Sequence, residues 1–221
     1  MALQKDIENL SALWQEVFDE SEKVTDLFFK NVYPTCENPT LKKDGKIVSS
    51  AFLIPCEIEN YKGLYVYCSM THKDYRGKGL MGSILKEADE IKAQNNLDFL
   101  ILVPASESLF DFYSKFGYEN FGYSFKLSEP KSYEILTDKY SSVRKFNGTE
   151  LKFSNDVLDY WAKATKIYGG CVIDVMGSAC LLGEGKVLDA KCGTRLTNTA
   201  MIKTEIEKLK NTQTFIGITL E

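Results

Sequence analysis

The 221-residue sequence has a single histidine, and its six cysteines form no Cys-x-x-Cys pair. Zinc fingers and ribbons need four cysteine or histidine ligands at short, paired spacings, so we expect no metal site. A basic excess is also missing, because acidic residues outnumber basic ones by 31 to 27 and give a formal net charge of −4. Such a chain lacks the charge that neutralises many phosphates, which argues against general nucleic-acid binding.

Long apolar runs are absent as well. No segment approaches the roughly 18 apolar residues of a membrane span, and the opening MALQKDIENLSALW lacks the apolar stretch of a signal peptide. We therefore expect no membrane association, a cytoplasmic location and six free thiols in a reducing compartment. What remains, 44% hydrophobic and 26% charged residues, is ordinary for a globular protein with its own core.

Apolar periodicity predicts mixed helices and strands over the first 128 residues. Two amino-terminal helices are indicated, the second ending before Pro34. Asp44-Gly45 separates two strand-like runs, which is typical of a hairpin. Further helices are predicted after the glycine-rich turn near position 77 and over Leu109–Phe116. The predicted strands are Thr40–Lys43, Lys46–Ile58, Leu64–Met70, Leu97–Val103 and Tyr123–Leu127.

The apolar pattern weakens after this part of the chain, which suggests a boundary. We predict a first domain over residues 1–128, a linker or seam over 129–150 and a smaller α/β domain over 151–221. In the smaller domain Ser154 is a candidate helix cap, and a second helix is predicted near Thr199–Lys210. Its predicted strands are Cys171–Met176, Ala179–Leu182, Lys186–Lys191 and Thr214–Leu220.

The most informative segment is Arg76-Gly77-Lys78-Gly79, a glycine-rich turn between a predicted strand and an amphipathic helix. Backbone N–H groups in such a turn and the partial positive charge of the helix amino terminus together form an anion site. Glycine lets a phosphate approach the backbone closely. Taken alone, the pattern could also be a plain connection, since it matches neither the P-loop GxxxxGK[ST] nor the Rossmann GxGxxG.

Two segments in the same order resemble the GNAT acetyltransferases. Arg76 and Gly79 match the family's acetyl-CoA motif R/Q-x-x-G-x-G/A, while Met81 replaces the final small residue, as in the divergent Eis-like branch. The stretch SESLFDFYSKFGY at 106–118 resembles the family's N-x-x-A-x-x-L-Y-x-K-x-G-F, with Ser106 in place of the asparagine. The positions that match are Tyr113, Lys115 and Gly117.

The resemblance implies the fold class, an α/β (α+β) arrangement with a mixed, mostly antiparallel sheet flanked by helices. The carboxy-terminal block would add a smaller α/β unit, which could be a degenerate GNAT-like half. Acetyl-CoA is implied as the acyl donor, with pantetheine between the splayed strands Leu64–Thr71 and Leu97–Val103. The implied cofactor-binding residues are Ser69, Met70, Thr71 and Ser106 along the thioester arm, and Arg76, Gly77, Lys78, Gly79, Leu80, Met81 and Gly82 around the pyrophosphate.

The implied reaction is attack of an amine, on a small molecule or a protein, on the thioester. Tyr113 would be the general acid that protonates the departing thiolate, although its helical spacing also fits a core aromatic. The base is left open: the carboxylates considered are Glu57, Glu59, Glu107 and the carboxy terminus at Glu221. His72 fits a solvated or structural role better than a catalytic one. An aromatic acceptor pocket or ordinary core packing would equally explain Phe28, Phe29, Tyr33, Tyr65 and Tyr67.

A second function is compatible with the same motifs. Met81 and Ser106 depart from the family pattern, which favours a catalytically weak acyl-CoA-binding module, regulatory or structural. Tyr113 and the intact Arg76–Gly79 turn favour the enzyme instead. The sequence leaves the acceptor open, and it does not distinguish a monomer from a homodimer.

Overall fold

A computed structural model describes residues 2–137, 139–146 and 148–217. Its α-helices are α1 (Ala2–Phe18), α2 (Glu22–Asn31), α3 (Leu80–Gln94), α4 (Glu107–Ser114), α5 (Asn155–Ile167) and α6 (Glu207–Lys210). Its strands are β1 (Thr40–Lys43), β2 (Lys46–Ile58), β3 (Tyr61–Thr71), β4 (Phe99–Leu102), β5 (Glu119–Ser128), β6 (Leu151–Phe153), β7 (Cys171–Val175), β8 (Ser178–Gly183), β9 (Lys186–Leu188) and β10 (Thr194–Thr204). None of the helices in the described ranges combines the length and the apolarity needed to cross a membrane.

The strands form one sheet in the order β1-β2-β3-β4-β10-β5-β9-β8-β7, and β6 pairs with β2 outside this path. Among the paired strands of the described chain, β3 and β4 run parallel and the other pairs are antiparallel. The sheet is flanked by helices on both faces, so the predicted fold class is confirmed.

The amino-terminal hairpin has the predicted bounds. Asp44 and Gly45, which connect β1 to β2, both have positive φ, 51° and 74°. This left-handed pair is the geometry of the two-residue turns that match the twist of antiparallel strands. The local sequence therefore determines the turn without help from distant residues.

The prediction of a helix near Thr199–Lys210 is wrong. Residues 194–204 form β10, and only the four residues of α6 are helical. Met201 pairs with Leu102 of β4 on one side and with Asn120 of β5 on the other. The gap between β4 and β5 thus supplies hydrogen-bond partners for both edges of the segment, which outweighs its local helical pattern.

The position of β10 joins the two predicted domains within one sheet, since a strand from 151–221 lies between two strands from 1–128. The division into domains stays a prediction. The predicted strand Thr214–Leu220 is reduced, in the described range, to bridges from Phe215 to Tyr123 and Glu150. Residues 218–221, with Glu221, lie outside the described residues.

Helices from both ends of the sequence cover one face of the sheet. Trp14 of α1, Phe28 of α2 and Phe52 of β2 form an aromatic cluster, with ring centroids 5.0 Å apart for Trp14–Phe28 and 4.7 Å for Phe28–Phe52. Tyr160 of α5 reaches the same cluster, 5.5 Å from Phe28. On the opposite face, α3 and α4 bury a separate apolar cluster that includes Tyr113. The two layers fix α1, α4 and the central strands relative to one another.

Candidate active site

The parallel strands β3 and β4 separate at their carboxy ends. Their ladder pairs Gly63–Tyr65 with Phe99–Ile101, whereas β3 continues to Thr71. Beyond the ladder lies a cavity of about 190 Å³, which we call the slot. The edge of β3 that faces the slot has lost its strand partner, so its backbone groups there need another partner when buried. The ladder thus ends, and the slot begins, at the carboxy ends of the two strands, where the resemblance implied that they splay.

The slot is lined by α1, the α1–α2 loop, β3, β4 and α4. It is slightly larger than the cavity of about 150 Å³ known to hold one benzene ring. The lining residues are Trp14, Phe18, Glu20, Tyr65, Val66, Tyr67, Cys68, Ser69, Leu102, Val103, Ala105, Leu109 and Tyr113.

A β-bulge interrupts β3 beside the slot. Ser50 pairs with Met70 and Phe52 with Tyr67, so β3 carries one more residue than β2 between these pairs. Cys68, inside the bulge, has a φ of 51°, which is rare for a residue other than glycine. Bulges redirect backbone groups and are frequent next to active sites. The bulge therefore changes the direction of β3 at the residues that line the slot.

The residues after the bulge have different surroundings. Ser69 lines the slot. Met70 is fully buried in the core, so any contact it makes with a ligand comes from its backbone. The Thr71 hydroxyl lies 2.9 Å from the Ser49 hydroxyl. Of the three β3 residues predicted to contact the thioester arm, only Ser69 is among the described residues that line the slot.

Tyr113 of α4 lies at the slot with 7% of its surface exposed. Burial raises the pKa of its phenol, and a hydrogen bond with the Ser69 side chain opposes that rise only in part. The phenol is therefore protonated at neutral pH, which is the state that a general acid requires.

The glycine-rich turn lies between β3 and α3, after a short 3-10 helix at Lys73–Tyr75. Gly77 and Gly79 have φ values of 72° and 76°, and no atom lies within 4 Å of a Cβ built on either. The Arg76 Nε donates to the Thr71 carbonyl at 3.0 Å, and the Lys78 Nζ donates to the Asp74 carbonyl at 2.8 Å. Gly79 is the N-cap residue of α3, so open space lies before a helix amino terminus that follows two cations in the sequence.

The first turn of α3 also meets packing demands. A Cβ on Gly82 would come within 2.9 Å of the Phe116 ring, so glycine here permits the close approach of α3 to the α4 region. Met81 packs against the apolar cluster beneath α3. Leu80 is the first residue of the helix. Packing alone is therefore a sufficient reason for the glycine at position 82.

The model of the family "Acetyltransferase (GNAT) domain" matches residues 2–121, more than half of the chain. The chain belongs to the GNAT acetyltransferase family. No curated protein matches the sequence.

Solved structures share the GNAT fold at low sequence identity. A protein of Enterococcus faecalis described as a probable N-acyltransferase is 16% identical, with a TM-score of 0.61, over 84% of this chain and 52% of its own. A GCN5-related N-acetyltransferase from Anabaena variabilis is 13% identical, with a TM-score of 0.57, over 84% and 51%. Eis1 from Mycobacterium abscessus is 7% identical, with a TM-score of 0.54, over 80% and 49%. This GNAT chain therefore spans about half the length of these relatives.

Three of the carboxylates considered from the sequence do not line the slot of this GNAT protein, and the fourth, at Glu221, lies outside the described residues. None of Glu57, Glu59 and Glu107 is among the described residues that line it. Glu59 accepts a hydrogen bond from the Thr149 hydroxyl at 2.9 Å. His72 caps the turn after β3, where its Nδ1 accepts from the Asp74 N–H at 3.2 Å. The carboxylate that does line the slot is Glu20, which the sequence analysis missed.

The remaining residues predicted for the cofactor site and the acceptor pocket lie partly at the slot and partly in the core. Ser106 is the N-cap residue of α4, next to the lining residue Ala105, and its exposed hydroxyl lies 3.0 Å from that of Ser108. Of the five aromatic residues considered for an acceptor pocket, Tyr65 and Tyr67 line the slot. The other three, Phe28, Phe29 and Tyr33, belong to the core cluster or pack against it. No three His, Cys, Asp or Glu side chains of the described residues come together as a metal site requires.

Proposed function

We propose that this GNAT protein transfers the acetyl group of acetyl-CoA to an amine of a small molecule or a protein. The observation that carries the proposal is the placement of Tyr113 in the slot beyond the β3–β4 ladder, with the glycine-rich turn on the connection from β3 to α3. One elongated ligand with a phosphate end and a thioester end suits this arrangement. Membership of the GNAT family supports acetyl-CoA as that ligand.

In this proposal the CoA pyrophosphate binds the turn. The N–H groups of residues 77–82 and the amino terminus of α3 face the phosphates, while Arg76 and Lys78 contribute positive charge. Pantetheine lies along the unpaired edge of β3, with Ser69, Met70, Thr71 and Ser106 beside the thioester arm.

The proposed reaction is a single displacement. The lone pair of a neutral amine forms the new C–N bond, the C–S bond breaks, and its electron pair passes to sulfur. The phenol of Tyr113 donates its proton to that thiolate, and the nitrogen releases one proton that restores the phenol through solvent. The products are an amide and free CoA, and no oxidant or further reactant is needed.

A covalent route through Cys68 is disfavoured. Its thiol lines the slot, so an acetyl-cysteine intermediate is geometrically conceivable. Burial first, and the nearby Glu20 carboxylate second, raise the pKa of this thiol well above its ordinary value. A nucleophilic cysteine needs the thiolate form. The protonated thiol therefore favours direct attack of the amine.

The test is CoA release from acetyl-CoA across a panel of amines, with Tyr113→Phe as the variant. Loss of a general acid lowers turnover by roughly 10²–10⁴-fold. CoA affinity and the melting temperature should change little, because the ring and the phosphate turn remain. A variant that turns over at nearly the parental rate would show that Tyr113 is a packing residue.

The second candidate function is a catalytically weak acyl-CoA-binding module. The engagement of the Ser106 hydroxyl with Ser108 favours it, because that hydroxyl is then less available to pantetheine. Calorimetry separates the two functions. CoA binding together with no thiol release from any amine would support the binding module over the enzyme.

A further inference from the structure

We propose that Glu20 binds the acceptor of this site and selects a primary ammonium group attached to an apolar, ring-sized body. The inference rests on the proposed acetyltransfer and identifies the acceptor class. It follows from the position of one carboxylate, from its free oxygen and from the aromatic side chains around it.

Glu20 is the only charged side chain among the described residues that line the slot. It lies in the loop between α1 and α2, and the slot also reaches Cys68 and Tyr113. The Glu20 charge is close enough to affect the thiol of Cys68, which forms part of the bulge. A cation held by Glu20 would therefore stand near the point where the thioester is expected.

One oxygen of this carboxylate is already held in place. Glu20 Oε1 accepts from the Ser21 N–H at 2.7 Å and from the Tyr168 hydroxyl. Both bonds end on the same oxygen, and none to Oε2 is found within the described residues. Tyr168 follows α5, so the carboxy-terminal part of the chain holds the Glu20 side chain in place at the slot. Oε2 is left to accept an N–H of an ammonium group, which releases one proton to solvent before its neutral amine form attacks the thioester.

Aromatic side chains provide the rest of the acceptor site. Trp14, Tyr65 and Tyr67 line the slot, and Phe18 lines it while 46% of its own surface stays exposed. Aromatic faces attract cations and bury apolar groups at the same time. A carboxylate next to the amine would be repelled by Glu20, with no cation among the described lining residues to offset the repulsion. The slot thus favours an arylalkyl amine over an amino acid.

The experiment compares two acceptors that differ by one carboxylate, 2-phenylethylamine and phenylalanine. The wild-type protein should acetylate 2-phenylethylamine with the lower KM. Glu20→Gln keeps the shape and the oxygen that accepts from Tyr168 but removes the charge. It should raise the KM for 2-phenylethylamine by roughly 10- to 100-fold, the usual range for a hydrogen bond to a charged group. CoA affinity should be unchanged.

Asp19→Asn is the matched control. Asp19 precedes Glu20 and loses the same charge in this variant, but it does not line the slot. Its φ of 53° is one that asparagine tolerates well. The KM for 2-phenylethylamine should stay close to the wild-type value in this variant.

Tyr168→Phe tests the positioning role of the hydroxyl. Tyr168 is 52% exposed, so the variant should fold normally. Without the hydroxyl, Oε1 loses one donor, and we expect the KM to rise by only ~2- to 10-fold with kcat nearly unchanged. A residue that served only stability would leave this KM unaltered.

The outcomes separate this inference from the proposed function. Equal KM values for Glu20→Gln and Asp19→Asn, or equal use of phenylalanine and 2-phenylethylamine by the wild type, would overturn the role of Glu20 while acetyltransfer stands. No CoA release from any amine, with CoA still bound in calorimetry, would overturn the proposed function and this inference together.

Discussion

The amino-terminal part of this protein (2–128) and the carboxy-terminal part (129–217) differ in how they bury polar groups. Among the described residues, the buried charged side chains all lie in the carboxy-terminal part: Arg144, Glu150 and Asp189. In the amino-terminal part the buried polar side chains are neutral hydroxyls: Thr25, Ser49, Ser50 and Ser124. The slot and the glycine-rich turn both belong to the part with the uncharged core.

The buried charges connect segments that have little regular structure. Arg144 Nη2 donates to Glu150 Oε2 at 2.7 Å and to Asp189 Oδ1 at 3.0 Å. The Tyr140 hydroxyl also donates to Asp189, and Lys191 Nζ donates to Glu150 Oε1 at 3.2 Å. Side chains here replace the backbone ladders that order the amino-terminal part. Stability and chemistry therefore depend on different residues, so a substitution should be able to change one without changing the other.

The largest effect is expected from Arg144→Ala. Removing one partner from a buried ion pair leaves the others uncompensated, which costs about 3–5 kcal/mol of unfolding free energy. Urea unfolding at neutral pH measures this loss. Transfer activity at a temperature where the variant is folded should stay near the parental value, because the cluster lies outside the slot lining.

Lys42→Ala is the counterpart in the amino-terminal part. Lys42 pairs with Asp6 at 2.7 Å, but both side chains are substantially exposed. Exposed pairs contribute at most about 1 kcal/mol. Equal destabilisation by the two alanine variants would contradict the contrast between the two parts.

An intermediate effect is expected from Gly79→Val, now on CoA affinity. A valine at a φ of 76° is strained by roughly 1–2 kcal/mol, and its side chain would occupy the open space before α3. Both effects should weaken CoA binding by at least about tenfold, given 1.4 kcal/mol per tenfold change. Calorimetry on the folded variant is the measurement.

Gly185→Val provides the same strain in the other part of the chain. Gly185 has a φ of 72°, and a Cβ there also meets no atom within 4 Å. It lies in the turn between β8 and β9, so CoA affinity should be unaffected. If both valine variants lost affinity equally, general strain rather than obstruction of the turn would be the cause.

Local signals in the sequence predicted much of this fold. Asp44-Gly45 determined a hairpin within four residues, and the glycine-rich turn marked the junction of β3 and α3. The parallel pairing of β3 with β4 and the slot between them followed from the family resemblance. Each of these features depends on neighbouring residues or on a recognisable motif.

The features that the sequence analysis missed depend on distant partners. β10 is a strand because β4 and β5 leave a gap that its backbone fills, and neither of those strands is close to it in the sequence. Glu20 belongs to the site because Tyr168, 148 residues further along, holds its carboxylate. Arg144 lies where the apolar pattern was weakest, since its burial depends on Asp189. Periodicity over short windows contains none of this information.

The smallest expected effect concerns stability at alkaline pH. Burial, with a lesser contribution from Glu57, raises the pKa of the Cys56 thiol well above 9.0. The folded protein therefore keeps this proton when the unfolded chain releases it. The stability linked to Cys56 is fully present below pH 9 and is lost as the pH rises above 9, by at most about 1.4 kcal/mol per pH unit.

Cys56→Ala should therefore make the unfolding free energy decline less steeply above pH 9. Cys171→Ala is the control variant, since Cys171 lies on the edge strand β7 in the carboxy-terminal part. Cys171 is only half-buried, and although burial raises its pKa too, the rise is smaller than for Cys56. Its replacement should flatten the decline over a narrower pH range. Slopes from urea unfolding between pH 8 and about 10.5 are compared rather than absolute values, because alanine at position 56 leaves a small cavity at every pH. The same slope for both variants throughout that range would mean that the core around β2 raises the pKa of a thiol no more than the edge of the sheet does. The contrast between the two parts would then be limited to the ion cluster around Arg144.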